Sequence, residues 1–121
     1  VTTTRSFCLR LVSLLLLVPS AHAFNLRWLD NTPAGEFTDQ DWKLLEQTVT
    51  QALTQSKQGA RLTWENPETG HSGSVSNIGP VDRDGRTCIR LGIYNKTEKL
   101  SGSSVASFCP QADGGWKMEG K

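Results

Sequence analysis

Cys88 and Cys109 bracket the segment that most restricts what this chain can fold into. Just after Cys88, Ile89, Leu91 and Ile93 alternate with Arg90 and Gly92, the period-two pattern of a strand with one buried face. The two cysteines are equidistant from a point between Glu98 and Lys99. A hairpin folded about that point sets Cys88 opposite Cys109, Ile89 opposite Phe108 and Leu91 opposite Ala106. Directly opposed residues hold their Cβ atoms about 4.5–5.5 Å apart, and slight tightening permits a bridge. On this register the apolar side chains share one face and the disulfide lies on the other. The Glu98-Lys99 tip lacks the glycine usual in a two-residue turn, which leaves a wider loop as the alternative.

Whether those thiols are oxidised depends on the compartment. The chain opens "VTTTRSFCLRLVSLLLLVPSAHAF": basic Arg5 and Arg10, the apolar run Leu11–Val18, then Ala21-His22-Ala23. That is the layout of a cleaved export signal, and the run is shorter than the roughly 20 apolar residues of a spanning helix. The expected organisation is a signal peptide over 1–23, an N-terminal arm over 24–37 and one domain over 38–121. Cys8 precedes the apolar run, so it is lost with the leader and cannot carry a lipid. The pair that remains in an exported small domain reads as a disulfide, because two thiols and the distant His71 do not make a four-ligand metal set. Without Arg5 and Arg10 the chain holds 11 basic and 12 acidic residues, a formal charge of −1. This balance offers no electrostatic footprint for nucleic acid. The mature chain is expected to hold no integral membrane segment and no basic amphipathic helix, so the expected location is periplasmic or secreted, with a peripheral place on the outer membrane as the alternative.

A helix is signalled by "FTDQDWKLLEQTVTQALTQSKQG". Thr38 caps it, Asp41 reaches back as a short capping-box acid, and Phe37 with Trp42 forms a hydrophobic staple. Trp42, Leu45, Val49, Ala52 and Leu53 give an apolar stripe, which covers the chain's own sheet rather than a partner, since a domain this small needs that face. Gly59 suits the residue just past the helix end. Strands are predicted near 60–66, 72–79, 86–95, 102–109 and 115–119. They are separated by Asn66–Gly70, by Gly79-Pro80 through Asp84-Gly85, by 95–102 and by Asp113-Gly114-Gly115.

Catalytic chemistry finds little to work with. His71 sits beside Ser72 and Ser74 on a turn, with no acid in view to orient it as a base. Glu65 and Glu68 read as solvated carboxylates flanking that turn. Asp82-Arg83-Asp84-Gly85 lacks the ligands of a calcium loop. Asn95-Lys96-Thr97 matches a glycosylation acceptor, a short and weak motif. Trp28, Trp42, Trp64 and Trp116 read as core rather than as an aromatic binding surface. No catalytic residue, metal site or cofactor is expected.

Three segments, "WENPETGHSGSV", "GRTC" and "FCPQADGGWKM", together resemble the C-terminal domain of the 17-kDa surface antigen family of bacterial envelope proteins. The matching positions are Trp64, Asn66, Pro67, Gly70, Gly73, Gly85, Arg86, Cys88, Cys109, Gly114, Trp116 and Lys117. Family members are commonly lipoproteins with a glycine-zipper segment, and this chain shows neither feature, so outer-membrane anchoring is not carried over. The resemblance implies an envelope setting and transfers no catalytic residue. The expectation is an α+β domain with one N-terminal helix on an antiparallel sheet of four or five strands and one disulfide. Its role would be structural or binding, toward an unknown envelope protein or ligand. The alternative is a secreted inhibitor or ligand-binding module of the lysozyme-inhibitor type.

Overall fold

The computed structural model describes residues 25–120; the expected signal peptide and Cys8 lie outside them. Helix α1 spans Asp39–Gln55, and five strands follow: β1 Arg61–Glu65, β2 Ser72–Arg83, β3 Arg86–Lys96, β4 Ser101–Pro110 and β5 Trp116–Met118. They form one antiparallel meander in the order β1-β2-β3-β4-β5, the architecture that short turn-separated segments require.

The helix begins as its sequence dictates. Thr38 Oγ1 accepts from the Asp41 amide at 3.2 Å, and Asp41 Oδ2 accepts from the Thr38 amide at 2.9 Å. Phe37 meets Trp42 edge-on at 5.6 Å between ring centroids, completing the staple. The far end departs from expectation. The helix stops at Gln55 with Ser56 in an extended conformation, and Ser56 Oγ donates back to the Ala52 carbonyl at 2.5 Å. Gly59 does take a positive φ of 88°, but in the turn leading into β1, where its amide donates to the Asn77 carbonyl at 2.7 Å.

The central hairpin has the register that the cysteine spacing predicts: Ile89 faces Phe108 and Leu91 faces Ala106. It turns about Glu98 and Lys99. The Thr97 amide donates to the Leu100 carbonyl at 2.8 Å, and the Leu100 amide to Thr97 Oγ1 at 3.2 Å. A threonine hydroxyl thus holds the tip together without glycine. Strand β2 runs four residues further than expected. Gly79-Pro80 is not a break; the pairing shifts between Asn77 and Gly79, a bulge, and then continues to Arg83 opposite Arg86. Proline is tolerated there because β1 pairs only as far as Ser76, so this part of β2 is an edge. Asp84 and Gly85, at φ 50° and 77°, close the hairpin as a two-residue turn of the type favoured by strand twist.

Alternation gives the sheet two faces. One carries Val75, Leu91, Ile93, Ala106 and Phe108 against Leu45, Val49, Ala52 and Leu53 of α1, all buried. The helix packs over β1 and β2. The arm contributes more than a loop would, because Leu26, Leu29 and Ala34 are buried in the same core. Its turn at Pro33–Glu36 lies over β3. Trp42 and Trp64 are core residues, and Trp28 and Trp116 pack partly buried against that core, as their sequence reading anticipated.

Candidate functional site

The loop Asn66–His71 joins β1 to β2 and folds over the start of α1. Pro67 pre-sets the turn, the Gly70 amide donates to the Asn66 carbonyl at 2.8 Å, and Gly70 takes φ 73°. The Asn66 side chain organises the loop from within. Its Oδ1 accepts from the Glu68 amide at 3.1 Å, while its Nδ2 points inward.

That inward direction meets Asp41. The carboxylate is fully buried and accepts from four donors. Oδ2 takes the Thr38 amide and His71 Nδ1, the latter at 2.7 Å; Oδ1 takes Asn66 Nδ2 at 2.8 Å and Thr69 Oγ1 at 2.9 Å. Burial alone would push the carboxyl pKa up, but the bonds from Thr38, His71, Asn66 and Thr69 outweigh it and hold the pKa below its ordinary value of 3.8. Hydrogen bonds to the charged form act in this direction. An ionised carboxylate only accepts, so Nδ1 of His71 carries a proton. The imidazole stacks on Phe37 at 5.7 Å and 28°, and Phe37 in turn meets Trp64 edge-on at 5.2 Å.

His71 therefore has the buried acid that its sequence context did not reveal. Asp41 reads locally as a capping residue, and its second role spans 30 residues of chain. An aspartate fixing Nδ1–H is the orienting half of a nucleophilic triad. The nucleophile is not placed to match: Ser72 and Ser74 pair with Glu65 and Thr63 and point to the sheet face away from the helix. The four donors instead tie the start of the helix to the loop between β1 and β2.

The other motif residues spread along the domain. Gly73 lies under Trp64, where a Cβ would come within 2.5 Å of both the indole Nε1 and the Tyr94 carbonyl oxygen. Gly85 sits in the β2–β3 turn. Arg86 forms an ion pair with Glu119 at 2.8 Å. Gly114 takes φ 85° in the turn before β5, Trp116 faces Pro110 and Lys117 faces Cys109. Cys88 and Cys109 are joined, with Cα atoms 4.3 Å apart. Both are fully buried on the face away from the helix, beside the Glu119 carboxylate. With its sulfurs bonded to each other, this cluster offers no thiolate to a metal. Asn95 is buried, so the glycosylation motif presents no accessible acceptor.

A single helix docked on a disulfide-bridged antiparallel meander, with a buried aspartate at the joint, defines a small α+β domain. Residues 51–117 match the family described as 17 kDa outer membrane surface antigen, and the chain belongs to that family. The 17 kDa surface antigen of Rickettsia prowazekii (strain Madrid E) is 31% identical over 84 residues, covering 66% of this chain and 51% of the relative. That of Rickettsia bellii (strain RML369-C) is 31% identical over 87 residues, with the same coverage. The chain thus spans about half the length of the curated relatives it matches. No solved structure matches it. Among the described residues, no helix is long and apolar enough to cross a membrane.

Proposed function

We propose that this protein is an exported, non-enzymatic component of the bacterial envelope with a structural or binding role, residues 1–23 being its export leader. The observation that carries this is the internal use of the loop's polar groups. Asn66, Thr69 and His71 all spend their side chains on Asp41, so the most chemistry-rich stretch of the chain serves to fix its own geometry. The surface-antigen relatives and the buried disulfide, which requires an oxidising compartment, support the envelope location.

The test is fractionation of cells expressing the full chain, with intact-mass analysis of the mature product. Recovery in the envelope or the medium, starting at Phe24 with the disulfide formed, is the expected result. Cytosolic, reduced protein overturns it. The non-enzymatic part is checked separately with His71→Asn. This variant should melt lower, through loss of a charge-assisted hydrogen bond of about 1.5–3 kcal/mol. A hydrolytic activity abolished by His71→Asn at unchanged melting temperature would refute that part.

A further inference from the structure

The face of the sheet turned away from the helix has a composition unlike the rest of the molecule. Arg61, Arg83, Arg86, Arg90, Lys96 and Lys117 lie on it by strand register, against Glu65 and by Glu119. Elsewhere among the described residues acids outnumber bases ten to four. The domain is near neutral in total but strongly polarised across its thickness. Glu119 matches Arg86. Arg61, Arg90, Lys96 and Lys117 are exposed and, among the described residues, form no ion pair. At the middle of this face the side chains are small. Ser76, Gly92 and Ser103 floor a trough of about 340 Å³, with Tyr94 and Arg61 among its walls. The exposed Ile78 leans over Gly92.

We infer that this trough is a docking site for an anionic glycan, a chain of sugar units bearing carboxylate or phosphate groups. Arginine forks match those groups in bidentate geometry, serine and tyrosine hydroxyls both donate and accept toward sugar hydroxyls, and a half-buried ring offers an apolar surface with a polar tip. Five strands make the face roughly 20 Å wide, so several units of an extended chain fit across it. Other occupants fit less well. A second copy of this chain packed face to face would set bases against bases. A membrane surface calls for a broad apolar face to insert, and here the exposed Ile78 is joined only by the half-buried Val81 and Val105. Single-stranded nucleic acid is held by successive stacking aromatics, and Tyr94 is the sole aromatic on the face.

The test is equilibrium binding of the full mature chain at low salt. The probes are polygalacturonate, a phosphorylated mannan, neutral dextran, phosphatidylglycerol vesicles, polyglutamate and oligo-dT. At least one of the two acidic glycans should bind more tightly than all the others, and more weakly as salt rises. Arg61→Glu with Arg90→Glu should weaken this by about tenfold or more, the scale of a lost charge-assisted bond. Lys43→Glu with Lys99→Glu, away from this face, should leave it unchanged. Gly92→Ala adds a Cβ whose closest approach is 3.5 Å to Ile78. The fold accommodates it, and Gly92→Val should therefore fill the trough and lose the glycan. Melting curves check that each variant is folded. The proposal is overturned if neither acidic glycan binds, if dextran, vesicles, polyglutamate or oligo-dT bind as well, or if a folded Gly92→Val retains full affinity. None of these outcomes bears on export or on the absence of catalysis.

Discussion

Asp41→Asn isolates the charge at the centre of the helix–loop joint while keeping its shape. The amide oxygen can still accept from Asn66 and Thr69, and His71 can switch tautomer to accept from the new amide nitrogen. The Thr38 N–H loses its partner, because a donor now faces it. A lost helix cap costs about 1 kcal/mol, and converting the remaining charge-assisted bonds to neutral ones removes about half the strength of each. The three halves and the cap sum to about 3–5 kcal/mol, and the neutral amide escapes the desolvation cost of the buried charge, which leaves about 2–4 kcal/mol. In a domain of this size each kcal/mol moves Tm by about 4–8 °C, so thermal unfolding at neutral pH should fall by roughly 10–30 °C. Thr38→Ala, which removes the side-chain half of the capping box and leaves the carboxylate intact, should cost only about 1 kcal/mol. The difference between the two variants measures the tertiary part of the network. The acid limb gives a second readout. Because the folded pKa of Asp41 lies below its ordinary 3.8, its ionisation stabilises the fold fully above that value. The contribution disappears as pH falls through the lower folded value. Urea titrations from pH 6 downward should show this loss in the parent and its absence in Asp41→Asn. A Tm change under about 4 °C, or an acid limb identical in parent and variant, would refute the assignment of Asp41 as an ionised structural hub.

Cys88→Ser with Cys109→Ser should cost about 3 kcal/mol on the chain-entropy estimate for a 21-residue loop, visible as a Tm loss of well over ten degrees. Non-reducing peptide mapping should link the two within one chain. Gly73→Ala should cost about 1–3 kcal/mol by overpacking, since the new methyl meets both the Trp64 indole and the Tyr94 backbone. Gly85→Ala meets no atom within 4 Å and should lose only the roughly 1–2 kcal/mol of a left-handed residue. Gly85→Asn should regain most of that in denaturant titrations.

Features set by neighbours in sequence were legible without the structure. The cap, the staple and the β3–β4 register follow from spacing, and the register was recoverable because parity permits only one face to be apolar. What could not be read depends on residues brought together from afar. Asp41 has lone pairs to spare beyond the cap, and nothing local shows that Asn66, Thr69 and His71 take them up 25 to 30 residues later. Gly79-Pro80 has the composition of a turn, and only the early end of β1 makes it a tolerated edge bulge. Gly59 suits a helix end, yet Ser56 stops the helix first with its own hydroxyl. The basic face is invisible in sequence for the same reason. Arg61, Arg90 and Lys117 stand far apart along the chain, and the overall charge averages them away.

A five-stranded open meander leaves two borders where backbone groups could recruit a strand from another molecule. Here one border is β1, five residues long, with charged Arg61 and Glu65 at its ends and α1 packed alongside. The other is β5, only three residues, with exposed Lys117 at its centre; past these short strands, β2 beyond Asn77 and β4 before Ser107 continue the two borders. Short, charged borders are how sheets discourage stranger strands from adding on. With β1 and β5 guarded by shortness and charge, and the free part of β2 by its bulge and Pro80, the uncharged Ser101–Ala106 of β4 is, among the described residues, the unpaired stretch that lacks such a device.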